Sequence, residues 1–302
     1  MTSLSERILE HFQIRKSYKQ KTAFIELLKE HFPDLQIQES KFWGCRNLIL
    51  GDVENAKVLL SAHYDTCAAL PFSNFITPKQ PALTILYNLL IVIPLFLLVL
   101  AINMLLNRLS NDYWLHYFIS IAIYFGILSL MIIGPANKHT ANDNTSGVLT
   151  LCELIQAMPE EMRSQVAFIF FDHEEAGLLG SRLFRKRYKT LSREKLLINF
   201  DCVSDGDHFL FAFTHPAATA YEDLLRDSLP ASEEKSVVFE QLEKVYYPSD
   251  HANFDVAIAA TALKKKKNIY YMNRIHTSKD TVMEEANIAF LCDGIRAFVT
   301  KL

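Results

Sequence analysis

Between Lys79 and Lys138 the chain runs for 58 residues with only two charged side chains, Arg108 and Asp112. The other 244 residues carry 30 of the 31 basic and 33 of the 34 acidic side chains, the charge density of an ordinary soluble domain. An apolar block is therefore set inside a soluble one. Ala82 to Leu106 has no charge, and Tyr113 to Ile133 has none unless His116 is protonated. Each run reaches the ~20 apolar residues that cross a hydrocarbon core. Pro94 and Gly126 are tolerable inside such helices, where neighbouring groups re-satisfy the backbone. Tyr113, Trp114 and Tyr117 cluster at one end of the second run, as aromatic side chains do at a membrane–water boundary. Asn107 to Asp112 form a short connection, so the runs are expected to pair antiparallel, as a two-helix hairpin in the bilayer over 82–133. A buried soluble helix pair and a cap docking another subunit are the alternatives.

Both ends of a hairpin emerge on one side, so residues 1–79 and 138–302 share a compartment and form one domain, with 80–137 inserted. Met1 to Pro33 lacks the apolar run of a signal peptide. Five cysteines (Cys45, Cys67, Cys152, Cys202 and Cys292) are odd in number and lack paired or zinc-finger spacing. Free thiols in a reducing compartment fit that pattern, so the expected location is a membrane with the soluble domain on the cytoplasmic side. A net charge of −3 gives no basic surface for nucleic acid, and half the residues being hydrophobic excludes a disordered chain.

Outside the insertion, short Val-, Ile-, Leu- and Phe-rich runs alternate with helical patterns. Strands are expected at Asn47–Leu50, Val58–Ala62, Val166–Phe171, Leu197–Asp201, His208–Phe213 and Ile269–Met272. Helices are expected at Ser5–His31, Ser146–Ala157, Leu178–Tyr188, Ala217–Leu229, Asn253–Ala259 and Met283–Leu302. This order predicts an α/β fold with a mostly parallel sheet between helical layers. In such sheets, sites gather at the carboxyl ends of the strands.

Five short segments carry metal-ligand residue types at those ends. His63-Tyr64-Asp65 ends one strand, Asn142-Asp143-Asn144-Thr145-Ser146-Gly147 precedes a helix, and Glu174-Glu175 follows the Phe170-Phe171 strand end. Asn199-Phe200-Asp201 ends a fourth segment and His276 a fifth. Each has an ordinary structural reading: a core histidine, a helix cap, an acidic turn, a capping aspartate. Together they are more specific, because two imidazoles and three carboxylates can hold two zinc ions with one carboxylate bridging. Two such ions can bridge a hydroxide and polarise a carbonyl.

In order and spacing, the segments HxD, NDNxSG, EExGLxGS, NxD, SDHxxF and HTxxDT resemble the M28 family of zinc exopeptidases, across nearly the whole soluble part. The resemblance implies the three-layer α/β/α zinc-exopeptidase fold and two Zn2+ per chain. His63 and Asp201 would hold one ion, Glu175 and His276 the other, and Asp143 would bridge. Glu174 would be the general base that takes a proton from the bridging water and passes it to the leaving amine. Asp65 would orient His63, and the Asp143–Asn144 peptide would be cis. Asp250, His251 and Phe254 of the SDHxxF segment, with Tyr247, would line the substrate pocket; a capped helix start is the plainer reading of that stretch. One departure is Ile275, where some members carry an oxyanion-steadying Tyr; either Tyr246, Tyr247, Tyr271 or Arg274 replaces it, or the zinc does that work alone.

The expected function is therefore a membrane-anchored aminopeptidase acting on peptide substrates. A one-zinc acyltransferase like glutaminyl cyclase and a non-catalytic membrane scaffold of the same fold are the alternatives. The Lys264–Lys267 run reads as a solvated loop, or as a contact with anionic headgroups.

Overall fold

A computed structural model describes residues 1–40, 44–109 and 112–302. Its centre is a nine-stranded sheet. In chain order the strands are β1 (Gln36–Glu39), β2 (Arg46–Leu50), β3 (Val58–His63), β4 (Val166–Phe171), β5 (Leu196–Phe200), β6 (His208–Phe213), β7 (Ser236–Gln241), β8 (Ala257–Lys266) and β9 (Ile269–Tyr271). Across the sheet they run β1-β2-β4-β3-β5-β8-β6-β7, with β9 on β8. The central strands β4, β3, β5 and β8 are mutually parallel.

Alternation along these strands builds the layers. From β3 and β4, Val58, Leu60, Ala62, Val166, Phe168 and Phe170 enter the larger core. Leu59, Ala167, Ile169 and Phe171 enter a second core on the other face. The first face is covered by α1 (Ser3–His11), α2 (Tyr18–His31), α5 (Gly147–Ala157), α9 (His215–Arg226) and α10 (Glu285–Lys301), whose apolar residues join that core. The second face is covered by α7 (Leu179–Arg187) and α8 (Leu191–Glu194), through Phe184 and Leu191. A single turn, α6 (Glu160–Arg163), leads into β4. The expected α/β/α sandwich is thus the observed one.

Three local expectations change. Ser5–His31 is not one helix: it breaks between His11 and Tyr18, where Arg15 turns inward and is fully buried. Asn253–Ala259 is not a helix, because Ala257 onward is β8, paired on both sides by β5 and β6. The lysine run is not a loop: Lys264–Lys266 pair with β9, and Lys264 Nζ lies 2.8 Å from Asp205.

The insertion forms α3 (Pro81–Leu109) and α4 (Tyr113–Ile133). At about 1.5 Å per residue, both are long enough for a ~30 Å hydrocarbon core, and apolar enough. They lie against each other, joined by a 2.7 Å hydrogen bond from Ser120 Oγ to Asn103 Oδ1. Most of their apolar surface has no cover from the chain: Leu90, Phe118 and Ile133 are 64%, 62% and 74% exposed. A small antiparallel ladder closes the hairpin base. Asn137 N donates to Cys67 O, Ala69 N donates to Pro135 O, and Ala68 pairs with Ala136.

Candidate metal centre

The chain passes from β3 through the hairpin and α5 to β4 on one side of β3, then crosses to β5 on the other. A crevice opens where such connections part, at the carboxyl ends of the strands. His63 is the last residue of β3, Asp201 follows β5, and Glu174 and Glu175 lie in the turn after β4. The loop at 141–146 brings in Asp143, and the segment after β9 brings in His276.

Asp143 stands between the two imidazoles. Its Oδ1 is 3.4 Å from His63 Nε2, and its Oδ2 is 2.9 Å from His276 Nε2. Asp201 Oδ1 is 3.6 Å from His63 Nε2, and Glu175 Oε2 is 3.4 Å from His276 Nε2. The five sequence-derived residues therefore fall into two imidazole–carboxylate groups sharing one aspartate. Asp201 Oδ1 and Glu175 Oε1 are buried with no hydrogen-bond partner among the described residues. Buried acceptors of that kind call for a partner, and a nitrogen and oxygen donor set fits zinc.

The NDNxSG segment shows why those residue types stand there. Asn142 Oδ1 accepts from Ser204 N and Asp205 N, at 2.7 and 3.0 Å. Asn144 Oδ1 accepts from Cys202 N and Gly147 N, at 3.2 and 3.0 Å, and Asn144 Nδ2 donates to Phe200 O. Ser146 Oγ accepts from Val203 N. The two asparagines thus staple the loop to the exit of β5, fixing Asp143 relative to Asp201. Gly147 is required by close approach: a Cβ there would stand 2.4 Å from Phe200 O. The expected Ser or Thr cap is absent; the Asn144 side chain takes that place. The Asp143–Asn144 peptide is cis.

Asp65 does more than stand behind His63. Its backbone carbonyl lies 3.1 Å from His63 Nδ1, and its carboxylate 3.6 Å away. That carboxylate accepts from the main-chain N–H groups of Glu174 and Glu175, at 3.0 and 3.2 Å. It ties the β3 exit to the acidic turn. On the other side of that turn Asp172, fully buried, accepts from Lys21 Nζ at 2.7 Å and from Arg46 N and His173 N at 2.9 Å.

Burial and crowding of like charges shape the electrostatics. Burial pushes Glu174 well above the usual carboxylate range, with Glu175, Asp201 and Asp250 adding to it against His63. Burial, with Asp143 and Asp65, pushes Glu175 to about 8. Burial disfavours charge on the histidines, but the facing carboxylates outweigh it. They hold His63 protonated well above its ordinary value and His276 up to about 10. These imidazolium charges and hydrogen bonds in turn hold Asp143 low despite its burial.

Of the four pocket candidates, Asp250 is buried with both oxygens unpartnered among the described residues, and burial pushes it to about 7. His251 is buried, its ring parallel to that of Tyr247 with centroids 6.3 Å apart. Tyr247 donates its hydroxyl hydrogen to Asp201 O at 3.0 Å. Phe254 belongs to the second core, between Phe171 and Phe184. Among the candidates for the oxyanion contact, Arg274 is paired with Asp205 at 3.2 Å, and Tyr246 is 53% exposed.

Three nearby residues escaped the sequence reading. Asp280, the aspartate of HTxxDT, accepts from Asn142 N and Asp143 N at 2.8 and 3.0 Å; its place in the motif was the available signal. Arg15 donates to Tyr64 O at 2.6 Å and Thr145 Oγ1 at 3.1 Å, behind the site. The thiol of Cys67 lies within 4.8 Å of ligand atoms of Glu175 and His276. Nothing in the sequence marked either of these two.

The family model described as Peptidase family M28 matches residues 127–291. No curated protein matches the chain in sequence. Among solved structures, the LapA aminopeptidase of Legionella pneumophila is similar at 13% identity and a TM-score of 0.59, covering 99% of this chain and 68% of that one. The glutaminyl cyclase of Porphyromonas gingivalis is similar at 14% identity and 0.58, covering 99% and 96%. The TET1 peptidase of Pyrococcus horikoshii is similar at 13% and 0.53, covering 99% and 100%. At these identities the likeness is one of fold.

Proposed function

The chain belongs to peptidase family M28, and on that premise we propose that it is a membrane-anchored, two-zinc aminopeptidase. The observation carrying this reading is Asp143, with one oxygen facing His63 and the other His276. One zinc would be held by His63, Asp201 and Asp143, the other by Glu175, His276 and Asp143. Bound there, zinc supplies Lewis-acid polarisation of the scissile carbonyl and acidifies water. Glu174 takes a proton from the attacking water and delivers it to the leaving nitrogen. Asp65, through the Glu174 and Glu175 main chain, keeps that carboxylate in register. Asp280 does the same for the Asp143 main chain.

In this reading α3 and α4 cross the bilayer, and residues 1–79 and 138–302 form the peptidase domain on one side of it. The five cysteines are unpaired, which fits a reducing, cytoplasmic side. A second reading, a one-zinc acyltransferase, draws on the likeness of fold to glutaminyl cyclase.

Metal analysis with a Glu174→Gln variant tests the proposal. Two zinc ions per chain, retained by Glu174→Gln with a loss of ~10²–10⁴-fold or more in peptide hydrolysis, are expected. One ion with cyclisation of N-terminal glutamine supports the second reading. Near-normal turnover by the metal-loaded variant removes Glu174 as base.

A further inference from the structure

Two hollows flank the last turn of α4 at the base of the hairpin. The first, of about 670 Å³, is lined by Lys16, Lys21, Asp65, Glu175 and, from the end of α4, Ile132 and Ile133. The second, of about 540 Å³, lies between α3, α4 and the loop that leaves the metal centre. Leu70, Phe72, Ile91, Leu95, Leu128 and Met131 line it, and its volume is within the ~300–1,000 Å³ usual for ligand sites. The last turn of α4 thus separates a cleft reached by one candidate metal ligand, Glu175, from an apolar chamber.

The wall between them is short and fixed. Cys67, beside Glu175 and His276, is three residues from Leu70, a span of at most ~11 Å. Leu70 N donates to His276 O at 2.8 Å, and Asn137 Nδ2 donates to Thr277 O at 3.0 Å. The chamber wall and the His276 segment are therefore one hydrogen-bonded unit. An extended peptide advances ~3.3–3.6 Å per residue, so a substrate laid along the Cys67–Leu70 segment would bring the third residue beyond the reacting bond level with Leu70 at the chamber wall.

We infer that the chamber is a subsite for the peptide substrate, taking an apolar side chain about three residues beyond the scissile bond. The inference rests on the peptidase reading and sharpens it: substrates are peptides with a polar, free end and an apolar continuation. The same chamber could hold an acyl chain of the surrounding lipid, and the test is built to separate the two.

The full chain, zinc-loaded in phosphatidylcholine nanodiscs, is assayed on Leu-Gly-Gly-X amides with X as Gly, Ala, norvaline or norleucine. Each added methylene should raise kcat/KM by up to about fourfold, the equivalent of one buried CH₂. Leu128→Trp, which fills the chamber, should flatten that rise and leave the X = Gly substrate unchanged. Leu128→Ala, which enlarges it, should shift the preference to longer side chains, so a misfolded Trp variant does not decide the matter. A flat series for the unmodified chain, or an equal slope in all three proteins, overturns the inference. So does a flat series together with a phospholipid that co-purifies with the unmodified chain and is lost from Leu128→Trp. If no peptide is cleaved, the peptidase reading fails. Calorimetric binding of the same series to Glu174→Gln then still reads the chamber, with affinity independent of X refuting it.

Discussion

Lys21→Met puts the support of the acidic turn to a quantitative test. Lys21 Nζ and Asp172 Oδ1 are 2.7 Å apart, with side chains 4% and 0% exposed. The Asp172 carboxylate also caps the N–H of His173, immediately before Glu174 and Glu175. Removing the ammonium leaves a buried carboxylate without its cation, which costs about 3–5 kcal/mol. For a domain of this size, that is a fall of ~6–20 °C in the thermal midpoint. The paired charges hold Asp172 below the usual carboxylate range, with His173 and Lys21 outweighing burial. Its stabilising contribution is thus present above the ordinary carboxylate pKa and lost as pH falls. In Lys21→Met the carboxyl is free to take a proton, so the deficit should shrink below about pH 5. Asp172→Asn added to Lys21→Met removes the orphaned charge, but its single amide oxygen can keep only one of the bonds from Arg46 N and His173 N, which use separate carboxylate oxygens, so it should recover part of the loss. Circular dichroism melts of the three proteins in nanodiscs read all of this. A fall of under about 2 °C for Lys21→Met, or a double variant no better than the single, refutes the reasoning.

After chelation of metal, Asp250 and Asp280 at about 7 and Glu175 at about 8 keep protons that the unfolded chain has released. His276, raised to about 10, works in the same direction. Stability of the chelated protein should therefore fall between about pH 5 and 8, at up to ~1.4 kcal/mol per pH unit for each such group; melts that rise over that interval contradict the assignment. Asp280→Ala removes the acceptor that fixes the Asn142 and Asp143 N–H groups, and zinc affinity measured by competition with a chelator should drop ~10–100-fold. Because all five native cysteines are buried, orientation is best read with Glu234→Cys at an exposed position. A membrane-impermeant maleimide should label it in broken cells and not in intact ones, and labelling of intact cells reverses the proposed side.

The hairpin was legible because a long uncharged apolar run is a matter of composition alone: α4 spans Tyr113–Ile133, the run that its lack of charge marks out. β4 and β6 were legible for a related reason, since strands buried on both faces read as continuous apolar runs. The edge strands β1 and β7 went unrecognised because QIQE is short and mostly exposed and SVVFEQ is only partly buried, so neither reads as a continuous apolar run. β8 was misread because AIAATAL, rich in alanine, satisfies helical periodicity as well. Only its pairing between β5 and β6 makes it a strand, and that pairing is tertiary.

The candidate centre divides in the same way. Donor types recurring at strand ends marked the segments that hold His63, Asp143, Glu174, Glu175, Asp201 and His276, and the M28 resemblance supplied their roles. No local pattern could announce that Asp65 holds the acidic turn, that Asp280 holds the Asp143 loop, or that Arg15 lies behind Tyr64 and Thr145. Those roles arise from contacts between residues up to 138 positions apart, and only the closed fold brings them within hydrogen-bond reach. The sequence by itself determined that an apolar hairpin interrupts a metal-competent α/β domain. The tertiary structure decided that the hairpin's base is laced to the His276 segment, because Leu70 N and Asn137 Nδ2 meet the carbonyls of His276 and Thr277 only in the closed fold.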